Sequence, residues 1–179
     1  MKKILTILLV FFTTISFSQE KRITKNGLIN FEASVPSFEP VEAKHNNVSA
    51  ILNIATGDIA SLALVKGFRF KIALMEEHFN ENYIESDQYP KAVFKGKIEG
   101  FDLQSLSVNP KDFIIKGTLE LHGKSKEIQI TAKISKTDKG IELKSDFSVN
   151  ADDFGIEIPS IVSKKVSKKV NVKLDFIVK

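Results

Sequence analysis

Apolar and polar side chains alternate with a period of two along most of the chain after residue 28, the signature of strands buried on one face. Ile29, Phe31, Ala33 and Val35 share one parity against Asn30, Glu32 and Ser34. Val48, Ala50, Leu52 and Ile54 repeat the pattern, as do Phe68, Phe70, Ile72 and Leu74. After a break it resumes from Lys91 to Gly100, with Phe94, Gly96 and Ile98 on one side, and again in Phe113, Ile115, Gly117, Leu119 and Leu121. Ile128, Ile130, Ala132 and Ile134 follow, then Ile141, Leu143 and Phe147, and last Val170, Val172, Leu174, Phe176 and Val178.

Turn signals separate these runs. Thr56-Gly57-Asp58 and Lys66-Gly67 are short connections, His122-Gly123-Lys124 reads as a tight hairpin, and Lys136 to Gly140 as a five-residue loop. Sequential strands with short loops make a meander, and closing it into a barrel removes its edges. The pattern predicts an all-β antiparallel fold of about eight to ten strands, a number suited to a barrel with room inside for side chains or one ligand. One segment departs from the period: Met75, Phe79 and Tyr83 recur every four residues, predicting a short helical insertion over 75–86, stopped at Tyr89-Pro90. Between Pro36 and Asn47, two prolines predict an irregular segment.

The start of the chain has a different logic. Lys2 and Lys3 precede an apolar run from Ile4 to Ile15, and Ser16 and Ser18 place small residues at −3 and −1. This is a secretory signal, with cleavage expected after Ser18, leaving 19–179 as one domain in the periplasm or outside the cell. The run is too short for a membrane span, so no transmembrane anchor is expected after its removal. Losing Lys2 and Lys3 lowers the formal charge from +4 to +2, which takes away the main support for nucleic-acid binding.

Composition narrows the chemistry further. The chain has no cysteine, which excludes disulfides, thiol nucleophiles and Cys-ligated metal. No G-x-S-x-G elbow and no glycine-rich phosphate loop occur, so the sequence offers no nucleophile and calls for no cofactor. His45, His78 and His122 lack the paired spacing of a zinc site, and no metal is expected. At His122 the adjacent turn gives the ring a structural role, tying down the hairpin backbone. Asp152 and Asp153 are adjacent, and on a strand would point to opposite faces. Lys164, Lys165, Lys168 and Lys169 read either as a basic clamp for phosphates or, the preferred reading, as the solvated face of an edge strand kept from aggregating.

Three ordered blocks carry a resemblance. His78-Phe79, Tyr83-Ile84-Glu85 and Tyr89 to Phe94 form the first; Gly117 to Gly123 with Lys124-Ser125-Lys126 the second; Asp153-Phe154-Gly155-Ile156 the third. In order and spacing the chain resembles the YceI-like lipid/polyisoprenoid-binding family across nearly its whole mature length. The resemblance implies an eight-stranded barrel of lipocalin type, a long apolar cavity for an isoprenoid chain, and export. Many members place an Arg-Asp pair just before the helix histidine, where this chain has Met75-Glu76. With such a cavity, inward parity nominates Phe70, Phe94, Gly96, Ile98, Ile115, Gly117, Leu119, Ile130, Leu143 and Phe147 as its lining. Glycine inside a strand marks either a bend or space left for a ligand tail, and Gly96 and Gly117 are read both ways. The expected partner is an isoprenoid or other long-chain lipid held without chemistry; the alternative is a secreted stress-linked interaction module with a packed, ligand-free barrel. The sequence allows a homodimer.

Overall fold

Nine strands and one short helix make up the described part of the molecule, residues 20–179 of a computed structural model. The predicted export signal lies outside the described residues. The strands are β1 (Lys21–Ser34), β2 (Glu42–Asn53), β3 (Asp58–Leu64), β4 (Arg69–Phe70), β5 (Lys91–Ile98), β6 (Lys111–Leu121), β7 (Lys124–Thr137), β8 (Gly140–Asn150) and β9 (Val166–Val178), with helix α1 over Ala73–His78. Pairing runs β1-β9-β8-β7-β6-β5-β3-β2, and β2 returns to β1, so eight antiparallel strands close a barrel; the two-residue β4 adds to β2 alone. Closure gives every barrel strand a hydrogen-bonded neighbour on both sides and leaves no long edge for another chain to join.

Several local expectations need correction. The run Phe68 to Leu74 is strand only at Arg69–Phe70, because the chain bends at Lys71-Ile72 into α1. Helix α1 therefore begins two residues before the expected Met75, and beyond His78 it widens into a π turn over Phe79–Tyr83. Strand β2 begins at Glu42, inside the segment expected to be irregular; a bulge opposite Gly27 and Ile29 puts both His45 and Val48 on its inner face. The expected five-residue loop at 136–140 is a two-residue turn, with Thr137 and Gly140 paired. Strand β3 carries no alternating signal, and its sequence gave no warning of it.

Burial is graded along the barrel axis. At the end bearing the β2–β3, β5–β6 and β7–β8 connections, Leu52, Ile98, Ile134, Leu143 and Val178 are at most 1% exposed. The 99–110 loop folds Phe101, Leu103 and Leu106 against this packed end. Toward the other end the inward residues Phe31, Phe70, Phe94, Ile128, Phe147 and Leu174 are only partly buried. They are on the same strand faces and touch the core, but part of each side chain is left uncovered.

Candidate functional site

What they face is a cavity of about 570 Å³, within the range of sites that hold small molecules. Its wall is overwhelmingly apolar and draws on every barrel strand except β2. Of the ten residues nominated from parity, Phe70, Phe94, Ile115, Leu119, Ile130, Leu143 and Phe147 are on this wall. Gly96, Ile98 and Gly117 are not. Ile98 belongs to the packed end, at 1% exposure. Gly96 and Gly117 pair directly across β5 and β6, with the ring of Phe94 lying over them. A Cβ on Gly117 would meet the Lys95 carbonyl and the Cα of Gly96, so these glycines allow a close backbone approach and leave no space for a tail.

The open end is framed by three segments: the β1–β2 loop 35–41, the helical segment 71–86 and the loop 155–165. Phe79, at the start of the π turn, packs against Phe31, Phe68 and Phe70 with ring centroids 5.2–6.0 Å apart, which fastens the helical segment over the cavity. The predicted stripe Met75, Phe79 and Tyr83 does face inward to the cavity. The wall's polar side chains are concentrated at this mouth, where Glu39, His78, Tyr83, Lys165 and Ser167 contribute; Ser61 is deeper, on β3.

Beside the mouth, parts far apart in sequence meet at one imidazole. His122 Nδ1 donates to the Phe154 carbonyl at 3.1 Å, and His122 Nε2 lies 2.9 Å from Glu85 Oε2. The carbonyl can only accept, so the ring carries a proton on Nδ1. Tyr89 stacks edge-on against it at 4.5 Å. The ring thus ties the hairpin to two other segments, a wider role than holding its own turn. His122 (φ +50°) and Gly123 (φ +69°) form the two-residue turn of type I′ geometry that brings β6 back into β7. Glu85 is itself left-handed (φ +46°), so two side-chain-bearing residues in an unfavoured conformation hold each other. Lys126 of the hairpin also pairs with Asp153. All three sequence blocks therefore converge on one knot at the cavity's rim.

A family model for the YceI-like domain matches residues 13–178. The chain belongs to the YceI-like family. No curated protein matches it in sequence. Among solved structures, a polyisoprenoid binding domain from Saccharophagus degradans implicated in plant cell wall breakdown superposes with a TM-score of 0.74 at 16% identity, covering 89% of this chain and 97% of that one. Burkholderia cenocepacia BcnA gives 0.68 at 14% identity, with coverages of 83% and 94%. The Campylobacter jejuni YCEI protein gives 0.64 at 17% identity, with coverages of 81% and 88%. At identities this low, the superpositions show a shared barrel fold and nothing finer.

Within the YceI-like frame the remaining candidates find their places. Met75 lines the cavity, and Glu76 accepts from Arg69 Nη1 at 2.9 Å and from the Phe70 amide at 3.1 Å. The acid before the helix histidine thus pins α1 to β4 through an arginine from upstream. Asp152 pairs with Lys168 and Asp153 with Lys126; the two acids lie side by side in the 3-10 turn Ala151–Phe154 and not on a strand. Strand β9 is paired on both sides, so the lysines do not guard an edge as expected. His45, 4% exposed, accepts from the Asn47 amide at Nδ1 (3.1 Å), while its Nε2 has no hydrogen-bond partner among the described residues. Burial lowers its pKa below the usual histidine value, with the Arg69 charge adding to the effect and the Leu64 carbonyl opposing it. Among the described residues no group of three His, Asp or Glu is placed to hold a metal ion.

Proposed function

We propose that this YceI-like barrel is an exported carrier that buries one long apolar chain, an isoprenoid or similar lipid, and performs no chemistry on it. The observation that carries the reading is the apolar cavity of about 570 Å³ with its polar groups gathered at one mouth. An amphipathic lipid fits that polarity, tail inward and head group at Glu39, His78, Tyr83, Lys165 and Ser167. Each buried methylene contributes about 0.8 kcal/mol, so a few prenyl units bind strongly without a charged contact. The Saccharophagus degradans neighbour, described as polyisoprenoid binding, supports the same class of ligand. A packed interaction module has no use for an unfilled apolar volume of this size. Export is supported by the pattern from Lys2 to Ser18.

Native mass spectrometry of protein purified without detergent tests the ligand. A retained mass of lipid size is expected, or uptake of geranylgeraniol with a raised melting temperature. Protein that carries nothing, takes up no offered polyprenol or fatty chain and melts unchanged would overturn the carrier reading. Mass analysis of exported protein should find Gln19 at the N-terminus; an intact Met1 in that fraction would overturn the export reading.

A further inference from the structure

Each of the three segments framing the mouth leaves a large apolar side chain in water: Phe38 is 44% exposed, Leu74 57% and Ile161 86%. Loops 35–41 and 155–165 are neighbours, because Ser34 and Val166 at their strand junctions pair directly. On the second loop Ile161 is followed by Lys164 and Lys165, and β9 opens with Lys168 and Lys169. These lysines protect no sheet edge. Asp152 holds Lys168 at 2.8 Å, while Lys164 and Lys165 stand exposed with no acid within ion-pairing distance among the described residues. The opposing acids on the two loops are Glu39 and Glu157 alone, whereas Glu77 and Glu81 put negative charge on the helical side of the mouth. One side of the opening is therefore apolar and basic together, a pairing that suits neither a phosphate in water nor an apolar partner.

We propose that this tract seats the cavity mouth on a bilayer containing anionic lipids. Ile161 and Phe38 enter the acyl boundary, Lys164 and Lys165 lie at the headgroup phosphates, and a lipid chain passes between membrane and cavity without crossing water. The inference rests on the carrier reading for its purpose, while the docking itself is measured independently of cavity occupancy.

The test is flotation of protein purified from a soluble extract with vesicles of phosphatidylcholine alone or mixed equally with phosphatidylglycerol. Floating with the mixed vesicles is expected, weakened by salt. Each neutralised lysine should weaken it about fivefold, so Lys164→Gln/Lys165→Gln loses about 25-fold. The chain has no tryptophan, so Ile161→Trp reports insertion directly by a blue-shifted emission on adding mixed vesicles. Equal flotation on both vesicle types, wild-type flotation by the double lysine variant, or a tryptophan that stays in water would overturn the proposal. So would a concentration-dependent dimer, formed without vesicles and abolished by Ile161→Ser, which would assign the patch to a second copy of the chain. Protein that takes up dispersed lipid but does not float refutes docking only. Protein that floats through these residues but takes up no lipid supports docking and refutes the carrier reading.

Discussion

The two ends of this barrel are built from the same strands and reach opposite results. At one end, Leu52, Ile134 and Val178 have no exposed surface, and the 99–110 loop closes over them. At the other, the inner face is as apolar but bulkier, with Phe31, Phe70, Phe79, Phe94 and Phe147, and it remains partly open. Hydrophobicity alone therefore does not decide whether a barrel interior is filled. The difference lies in what crosses the end: a loop that inserts its own apolar side chains into the interior, or three segments that arch over the space. Stability is concentrated in the first and ligand capacity in the second.

The same substitution at both ends should separate them. Leu52→Ala, at the packed end, removes contacts on every side and should cost about 2–5 kcal/mol. Leu119→Ala, on the cavity wall, deletes a side chain that already faces open volume, and should cost about 1 kcal/mol or less on the same scale. Denaturant unfolding of the two variants measures the gap. Equal losses would show that the upper interior is as tightly packed as the lower, and the contrast between the ends would collapse.

Gly117→Ala probes the seam between the ends. An alanine methyl there meets backbone of the neighbouring strand, which cannot rotate away, so a loss of about 1–3 kcal/mol or more is expected. Phe94→Ala, by removing the ring over the glycine pair, should not rescue it. A wild-type melting temperature for Gly117→Ala would return this position to the cavity as vacant space.

How much of this was legible without coordinates depended on whether parity and packing agreed. Val48, Ala50 and Leu52 alternate cleanly and are all at most 3% exposed. Strand β3 was silent because its inner face carries Ser61 and Ala63 while its outer face carries Leu62 and Leu64, which inverts the pattern. The Phe68-to-Leu74 run was misread for the opposite reason, since alternation persists through residues that have already turned into a helix. Seven of the ten residues nominated by inward parity are on the wall, but parity carries no information on depth, and Ile98 has the right parity at the packed end. Gly96 and Gly117 have the right parity and no side chain, so what covers them, Phe94, could come only from three-dimensional packing. The knot at His122 joins residues 32 and 37 positions away, beyond any local spacing rule.

That knot should matter to the open end alone. His122→Asn tolerates the left-handed backbone but cannot reach both Glu85 and the Phe154 carbonyl. Because Glu85 is 42% exposed, solvent screens the ionic part, and a loss of about 1–2 kcal/mol is expected. Hydrogen exchange should quicken in 85–89, 121–124 and 151–156, while amides around Leu52 and Ile134 keep their protection. Uniform acceleration would mean the knot supports the whole barrel and is no local fastening of the rim.

The smallest expected effect is set by His45, the buried imidazole behind the aromatic cluster of the open end. Its Nδ1 already accepts a hydrogen bond and its ring touches Phe68 edge-on at 5.2 Å, so protonation would sacrifice that bond and strand a charge among phenylalanines. The folded pKa is consequently below the usual value of 6.5. Above that pH, folded and unfolded chains both carry a neutral ring and the residue contributes no pH dependence. As pH falls through 6.5 the unfolded chain takes up a proton that the folded chain refuses, so stability declines until the folded pKa is passed. His45→Phe removes the proton site while keeping an aromatic ring against Phe68. Comparing urea midpoints of wild type and variant at pH 7.5 and pH 5.5 isolates the contribution of His45, because the rest of the chain is common to both. The wild type should lose more stability than the variant on acidification. An identical loss in both would show that His45 accepts its proton without disturbing the cluster, and that the open end yields to a buried charge as the packed end would not.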